Sequence, residues 1–254
     1  MKRNGSRLIV LILVLAALGP LLVGCVPRDE DESGQRKPPS SGRQRWLKRH
    51  EDYVVQARKG DLELLFVGAS IVERWQTTGK LVWQEHFAPL KAASFGIGGD
   101  RTVQVLWRLQ NGELDGLQPK LVVLNLGGND LSARTGRRTP EQTAAGVAEV
   151  VQEVRKRVPA AKILLLGIFP RSPKDARLAQ AITETNALLA KLDDGARVKY
   201  LDLGPKFLNE KGELTREIMS DYIHPTARGY EIWAQAILGT VKEMMGADVA
   251  PEKK

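Results

Sequence analysis

Five short apolar segments, separated by longer segments with helical patterns, constrain this fold more than any other feature of the sequence. The apolar segments cover 62–67, 92–97, 121–126, 163–166 and 198–203. The predicted helices cover about 43–58, 81–87, 102–110, 140–157, 174–192 and 226–245. Short strands that alternate with longer helices predict a five-stranded parallel sheet with helices on both faces. We therefore expect an α/β fold in a single domain over residues 46–245.

The start of the fourth predicted helix is marked by its own residues. Thr139 suits the N-cap, Pro140 suits the first helical position, and Gln142 lies three residues after the cap. This order is typical of a capping box. We predict that the helix begins at residue 140.

Composition and charge exclude several classes of protein. Hydrophobic residues make up 43% of the chain and charged residues 27%, which excludes a disordered, collagen-like or polytopic membrane protein. The net charge is +8, but the basic residues are dispersed and no nucleic-acid-binding motif is present, so we expect no nucleic-acid partner. Cys25 is the only cysteine, which excludes an intramolecular disulfide and a zinc site built on several thiolates.

The N-terminal residues have the pattern of an export signal. Residues 1–7 carry three basic side chains and no acid, and residues 8–18 have the length of a signal-peptide apolar region. The sequence Leu-Val-Gly-Cys at 22–25 resembles the bacterial lipobox, in which the cysteine thiol receives a diacylglycerol and the chain is cut before it. We expect residues 1–24 to be a lipoprotein signal peptide and Cys25 to be the lipid attachment site. An uncleaved membrane anchor and ordinary secretion are the alternatives.

The segments that flank the domain are polar. Residues 25–45 contain the cysteine and a stretch with proline, glycine and serine, which predicts a flexible tether. Val26 occupies the position where an Asp would favour inner-membrane retention in Gram-negative sorting, so we expect an outer-membrane anchor that faces the periplasm. Residues 246–254 are predicted to be a disordered tail.

Polar and glycine-rich residues follow the predicted strands at the points where the strands end. In open α/β sheets, the functional residues lie just beyond the carboxyl ends of the strands. The residues at these positions, with one further segment before the last helix, are Gly68-Ala69-Ser70-Ile71, 96–100, Gly127-Gly128-Asn129-Asp130 and 221–225. We expect them to lie at one rim of the sheet.

These residue types are those that serine-based acyl transfer requires. A serine hydroxyl needs a neighbouring base, and the base needs an acceptor that orients it. His224 is the candidate base for Ser70, and Asp221, three residues earlier, is the candidate acceptor. The backbone N–H groups of Ser70 and Gly99 and the side-chain amide of Asn129 are the candidate oxyanion donors. Taken singly, each element is equally typical of a turn or a helix cap.

Four longer stretches make the sequence similar to the SGNH hydrolase superfamily of GDSL-like lipases and acylhydrolases. They are LLFVGASIVERW (64–75), residues 95–130, ILLLGIFPR (163–171) and SDYIHPTARGY (220–230). The greatest similarity is to the catalytic subunits of intracellular platelet-activating-factor acetylhydrolase and their bacterial relatives. The resemblance implies a flavodoxin-like three-layer α/β/α sandwich that uses no metal and no organic cofactor.

The resemblance also implies roles for individual residues. It places the nucleophile at Ser70, the oxyanion glycine and asparagine at Gly99 and Asn129, and the remaining catalytic residues at Asp221 and His224. The catalytic subunits of the similar acetylhydrolases pair as dimers, so the resemblance also implies a homodimer.

Two stretches depart from the family pattern. The first block usually reads Gly-Asp-Ser, and Ala69 replaces the aspartate. In the family that carboxylate helps to hold the turn around the nucleophile, so its loss predicts a looser oxyanion hole and a lower rate. Residues 127–130 read Gly-Gly-Asn-Asp where close relatives often read Gly-Thr-Asn-Asn, so Asn129 is kept.

We expect a serine esterase that removes a short acyl group, most readily acetyl, from an oxygen ester on a small molecule or a glycan. The alternatives are a catalytically weakened or inert binding lipoprotein, indicated by Ala69, and an O-acyltransferase. Arg134, Arg137 and Arg138 either favour an acidic polysaccharide or form a solvated loop. The tryptophans Trp75, Trp83 and Trp107 are predicted to be core residues rather than a sugar platform.

Overall fold

The computed structural model describes residues 42–132 and 137–246. Its centre is a five-stranded sheet, parallel throughout, with strand order β2-β1-β3-β4-β5. The strands are β1 (Leu64–Gly68), β2 (Ala92–Gly96), β3 (Leu121–Asn125), β4 (Lys162–Leu166) and β5 (Val198–Leu201). The expected α/β fold with a five-stranded parallel sheet is confirmed.

Helices connect the strands and cover both faces of the sheet. They are α1 (Arg43–Ala57), α2 (Ser70–Glu73), α3 (Lys80–His86), α4 (Thr102–Arg108), α5 (Pro140–Arg157), α6 (Ala176–Leu189) and α7 (Ala227–Met245). Short 3₁₀ turns occupy Arg74–Gln76, Ala88–Leu90, Ala190–Leu192 and Gly204–Phe207. Among the described residues, none of the helices combines the length and the apolarity that a membrane span requires.

Alternate side chains of the central strands enter two different cores. In β1, Leu65 and Val67 pack against α1, α4, α5 and α6, whereas Leu64 and Phe66 pack against α3 and α7. All four side chains are completely buried. Successive residues of a strand point to opposite faces, so a strand that is apolar at every position belongs inside a sheet covered on both sides.

The predicted boundaries hold to within a few residues. Helix α1 begins at Arg43, as the helical pattern over 43–58 predicts, so residues 43–45, which the predicted tether includes, are helical. Trp46 donates its backbone N–H to the backbone oxygen of Gly42 in the first turn. The helix predicted over 102–110 ends as an α-helix at Arg108 and continues as a π-helical turn, Leu109–Glu113. Gly112 interrupts the regular helix there, with φ of +110°.

The strand order places the predicted functional residues together. The chain passes from β1 to β2 on one side and then to β3 on the other side of β1. A crevice forms where the order reverses in this way, beyond the carboxyl ends of the strands. Ser70 follows β1 directly, and the loops after β2 and β3 flank it. Cys25, Arg134 and the tail beyond residue 246 lie outside the described residues.

Candidate active site

Ser70 is held in a tight strand-to-helix turn. β1 ends at Gly68, Ala69 has φ −107° and ψ −143°, and Ser70 is already the first residue of α2. The helix passes so close to β2 that a Cβ on Gly96 would lie 2.2 Å from the backbone nitrogen of Glu73. Glycine at position 96 therefore allows α2 to pack against the sheet and brings the Ser70 hydroxyl to the rim.

His224 and Asp221 approach Ser70 from the segment before α7. The Ser70 Oγ lies 2.9 Å from His224 Nε2, and His224 Nδ1 lies 2.7 Å from Asp221 Oδ2. Asp221 Oδ1 also accepts the backbone N–H groups of Ile223 and His224, at 3.0 and 2.8 Å. The structure thus brings together three side chains from two parts of the chain that are 154 residues apart.

The electrostatics of this segment fix the direction of the hydrogen bonds. Burial raises the pKa of Asp221, but the hydrogen bonds from His224 and Ile223 outweigh it and lower the pKa to about 2. Asp221 is therefore ionised at neutral pH and can only accept. His224 Nδ1 then donates to Asp221, which leaves Nε2 as the acceptor that faces the Ser70 hydroxyl. This is the arrangement that removes a proton from serine during nucleophilic attack.

The candidate oxyanion donors come from Ser70 itself and from the loops that follow β2 and β3. Gly99 has φ of +87°, and its backbone N–H makes no hydrogen bond within the part of the chain that the structure describes. A Cβ on Gly98, beside it, would lie 3.8 Å from the Cβ of Ser70. The N–H of Ser70 has no acceptor within α2, because the first helical N–H groups never do. Asn129 Nδ2 donates to the backbone oxygen of Asp100 at 2.9 Å, which orients its amide.

The backbone conformation explains why glycine occupies position 99. Its φ of +87° lies in a region that is unfavourable for residues with a Cβ. A Cβ at this position would meet no protein atom within 4 Å, so the conformation and not a close protein contact requires glycine there.

A small cavity opens beside the Ser70 hydroxyl. It has a volume of about 30 Å³ and is lined by residues that include Ala69, Ser70, Gly128, Asn129 and Arg171. Space of this size suits a small group next to Ser70.

A buried charge network, which the sequence analysis did not predict, lies next to the end of β1 and the loop after β2. Arg108 is completely buried, donates from Nε to Asp100 at 2.8 Å and contacts the Glu113 carboxylate. Its Nη2 also donates to the backbone oxygen of Gly68 at 3.0 Å, two residues before Ser70. His50 Nδ1 lies 2.9 Å from Glu113. This guanidinium therefore ties the end of β1 to the loop that carries Gly99.

Comparison with known proteins identifies the family. Residues 66–232 match the model of the GDSL-like lipase/acylhydrolase family. The chain belongs to this family. It is 36% identical over 214 residues to the rat (Rattus norvegicus) protein "Platelet-activating factor acetylhydrolase IB subunit alpha2", across 84% of this chain and 90% of that protein. As a GDSL-like acylhydrolase it is an ester hydrolase.

Solved structures of other proteins share the fold. A GDSL-like lipase from Bacteroides thetaiotaomicron superimposes with a TM-score of 0.60 at 22% identity, covering 76% of this chain and 97% of that chain. A carbohydrate acetylesterase from Sinorhizobium meliloti superimposes with a TM-score of 0.56 at 19% identity, covering 72% of this chain and 99% of that chain.

The arginines and tryptophans that the sequence analysis considered as substrate contacts have mainly structural roles. Arg137 lies 3.7 Å from Asp175, and Arg138 lies 3.7 Å from Asp130. The three tryptophans pack in or against the cores: Trp75, Trp83 and Trp107. Across residues 42–132 and 137–246, no group of three histidine, aspartate or glutamate side chains is placed to hold a metal ion.

Proposed function

We propose that this GDSL-like acylhydrolase is a serine esterase that removes acetyl groups from oxygen esters. The observation that carries the proposal is the continuous hydrogen-bonded chain from Ser70 through His224 to Asp221. Its geometry satisfies the nucleophile–base and base–orienter contacts that serine hydrolysis requires.

The mechanism follows from the direction of these hydrogen bonds. Ser70 Oγ attacks the ester carbonyl while His224 Nε2 accepts its proton, and Asp221 stabilises the imidazolium that forms. The oxyanion receives hydrogen bonds from the N–H groups of Ser70 and Gly99 and from the Asn129 amide. The protonated His224 then gives its proton to the leaving alcohol. Water, activated by His224, attacks the acyl-enzyme and regenerates the Ser70 hydroxyl.

The size of the small cavity supports the proposal that the acyl group is short. Its volume of about 30 Å³ suits the methyl of an acetyl group better than a long acyl chain. A hydrophobic site discriminates by about 10- to 200-fold for a methylene that it cannot accommodate.

We expect a panel of p-nitrophenyl esters to show a preference for short acyl chains. The kcat/KM value should be highest for the acetate and at least about tenfold lower for the octanoate. Each rate is divided by the rate of hydroxide-catalysed hydrolysis of the same ester, which removes differences in intrinsic reactivity. An octanoate rate equal to or above the acetate rate would contradict the acetyl proposal.

We further propose that the natural ester is on a glycan of the cell envelope. The proposal is supported by the predicted export of the chain, and by the carbohydrate acetylesterase that shares the fold. Release of acetate from acetylated polysaccharides, measured with and without acceptor sugars, also separates hydrolysis from acyl transfer.

We propose that Cys25 carries the lipid that anchors the protein to the outer membrane. The Leu-Val-Gly-Cys sequence after an apolar stretch supports this assignment. Wild-type protein should incorporate radiolabelled palmitate and fractionate with membranes, and Cys25→Ser should lose the label. The double variant Cys25→Ser/Ser33→Cys is the control, because it keeps one thiol in the polar segment but outside the lipobox. Label in that control, or in Cys25→Ser, would contradict the assignment.

A further inference from the structure

Arg171 is a cation in the active-site cavity that forms no ion pair within the described part of the chain. It follows β4 and lines the same small cavity as Ser70 and Asn129. Its Nε is buried without a hydrogen-bond partner, and the Asp221 carboxylate acts on its charge only from beyond ion-pair distance. Burying a charged group without a direct partner is costly, so such a group is suited to bind a complementary charge. By contrast, Arg137 and Arg138 each form an ion pair with a carboxylate at 3.7 Å.

Both departures from the family pattern affect the surroundings of this guanidinium. A Cβ on Gly128 would lie 2.8 Å from Arg171 Nη1, so a threonine at this position would displace the side chain. Ala69 lines the same cavity, so this chain has no acidic side chain at the position of the family aspartate. The chain therefore gives Arg171 space and leaves its charge available.

Arg171 also lies where the cavity meets a larger groove. The groove has a volume of about 800 Å³ and runs between α6 and residues 200–214, and both Ile168 and Arg171 line it as well as the small cavity. An ester whose acetyl group occupies the small cavity can extend its alcohol part into this groove. A group on the alcohol close to the ester oxygen would then lie next to the Arg171 guanidinium.

We propose that Arg171 binds a carboxylate on the alcohol part of the substrate, so that the enzyme selects acetyl esters of acidic sugars or other acidic alcohols. A guanidinium presents paired N–H donors that match a carboxylate. Burial lowers the pKa of Arg171 and the nearby Asp221 opposes this, but an arginine side chain remains charged at neutral pH. The inference rests on the proposed function, because it takes Ser70 as the point of ester attack.

Matched esters that differ only in charge test the proposal. The probes are 3- and 4-acetoxybenzoate, each compared with the uncharged 3- or 4-acetoxybenzamide. The quantity measured is the ratio of kcat/KM for the acid to kcat/KM for the amide. We expect Arg171→Gln to lower this ratio by about 10- to 100-fold for at least one isomer, as is typical for loss of a hydrogen bond to a charged group.

Control variants separate charge recognition from a structural role. Arg177→Gln removes an exposed arginine on α6 and should leave the ratio unchanged. Gly128→Thr keeps Arg171 but displaces it, and Ala69→Asp supplies an internal carboxylate, so both should lower the ratio. If Arg171→Gln reduces hydrolysis of acid and amide equally, or changes neither, Arg171 does not recognise a carboxylate and the inference is wrong.

A binding measurement keeps this inference separate from the proposed chemistry. In the Ser70→Ala background, calorimetry should show that benzoate binds with higher affinity than benzamide. The additional Arg171→Gln change should abolish this difference in affinity. Equal binding of the two compounds would overturn the inference whatever the protein hydrolyses. Full turnover by Ser70→Ala would overturn the mechanism and leave the binding result intact.

Discussion

We expect Ser70→Ala to hydrolyse p-nitrophenyl acetate about 10⁴- to 10⁶-fold more slowly than the wild-type protein. The substitution removes the Oγ that lies 2.9 Å from His224 Nε2, and no other hydroxyl of the described residues hydrogen-bonds to this nitrogen. The change deletes a single oxygen at the first residue of α2, so the fold should persist. We expect the variant to remain faster than uncatalysed hydrolysis in water, because the candidate oxyanion donors are still present.

Ser220→Ala is the matched control for this prediction. Ser220 is an exposed serine next to Asp221 and makes no hydrogen bond in the described part of the chain. Its replacement should leave the rate within about twofold, since surface changes of this kind have small effects. A fluorophosphonate should label wild type and Ser220→Ala but not Ser70→Ala. Equal turnover by wild type and Ser70→Ala would refute the mechanism, and failure to label wild type would favour an inert binding protein.

The fold was predictable because the strands carry their own signal. β3 is apolar over Leu121–Leu124 and buried at all five of its positions, as is typical of a strand that is covered on both faces. The start of α5 was predictable for a local reason: Thr139 accepts the N–H of Gln142, and Pro140 occupies the first helical position. Signals of this kind lie within a few residues of the feature that they determine.

The proximity of Ser70 and His224 was predictable only in outline. Each follows or precedes an element whose end lies at the rim, so the topology implies a shared region but no distance. The 2.9 Å contact depends on how α7 and its preceding turn pack against the sheet. In this turn, Tyr222 has φ of +58° and Asp221 accepts two backbone N–H groups.

Arg171 and Arg108 could not be predicted as special from sequence, although both lie in stretches that carry the family resemblance. Whether an arginine is paired depends on residues that are distant along the chain. Arg108 donates to the backbone oxygen of Gly68, 40 residues away, whereas the buried Nε of Arg171 has no hydrogen-bond partner among the described residues. Only the three-dimensional packing distinguishes the two.

The largest effect on stability should come from Arg108→Met. Arg108, Asp100 and Glu113 have fully buried side chains, so removing the guanidinium leaves two buried acidic groups without their shared partner. Breaking a buried ion pair in this way costs about 3 to 5 kcal/mol, and we expect the free energy of unfolding at pH 7 to fall by that amount. Chemical denaturation followed by tryptophan fluorescence measures it.

Arg155→Met is the comparison that isolates burial. Arg155 also pairs with an aspartate, Asp194 at 3.2 Å, but both side chains are more than a third exposed. Exposed pairs contribute little, so this variant should lose less than about 1 kcal/mol. Similar losses in the two variants would show that the Arg108 network contributes no more than a surface ion pair.

The Arg108→Met deficit is the difference in the free energy of unfolding between the wild type and this variant. Its pH dependence separates the effect of charge from the effect of packing. Burial raises the pKa of Asp100 to about 6 in the wild-type protein, and the Arg108 guanidinium and the Trp46 N–H limit the rise. Without the guanidinium the folded-state pKa rises further above the unfolded value, so the folded variant binds a proton at higher pH. Its stability increases as the pH falls from 8 to 6, by up to about 1.4 kcal/mol per pH unit, while the wild type gains little in this range. The deficit should therefore narrow on acidification. A deficit that stays constant from pH 8 to pH 6 would mean that the loss arises from packing, because the fit of a methionine side chain does not depend on proton concentration.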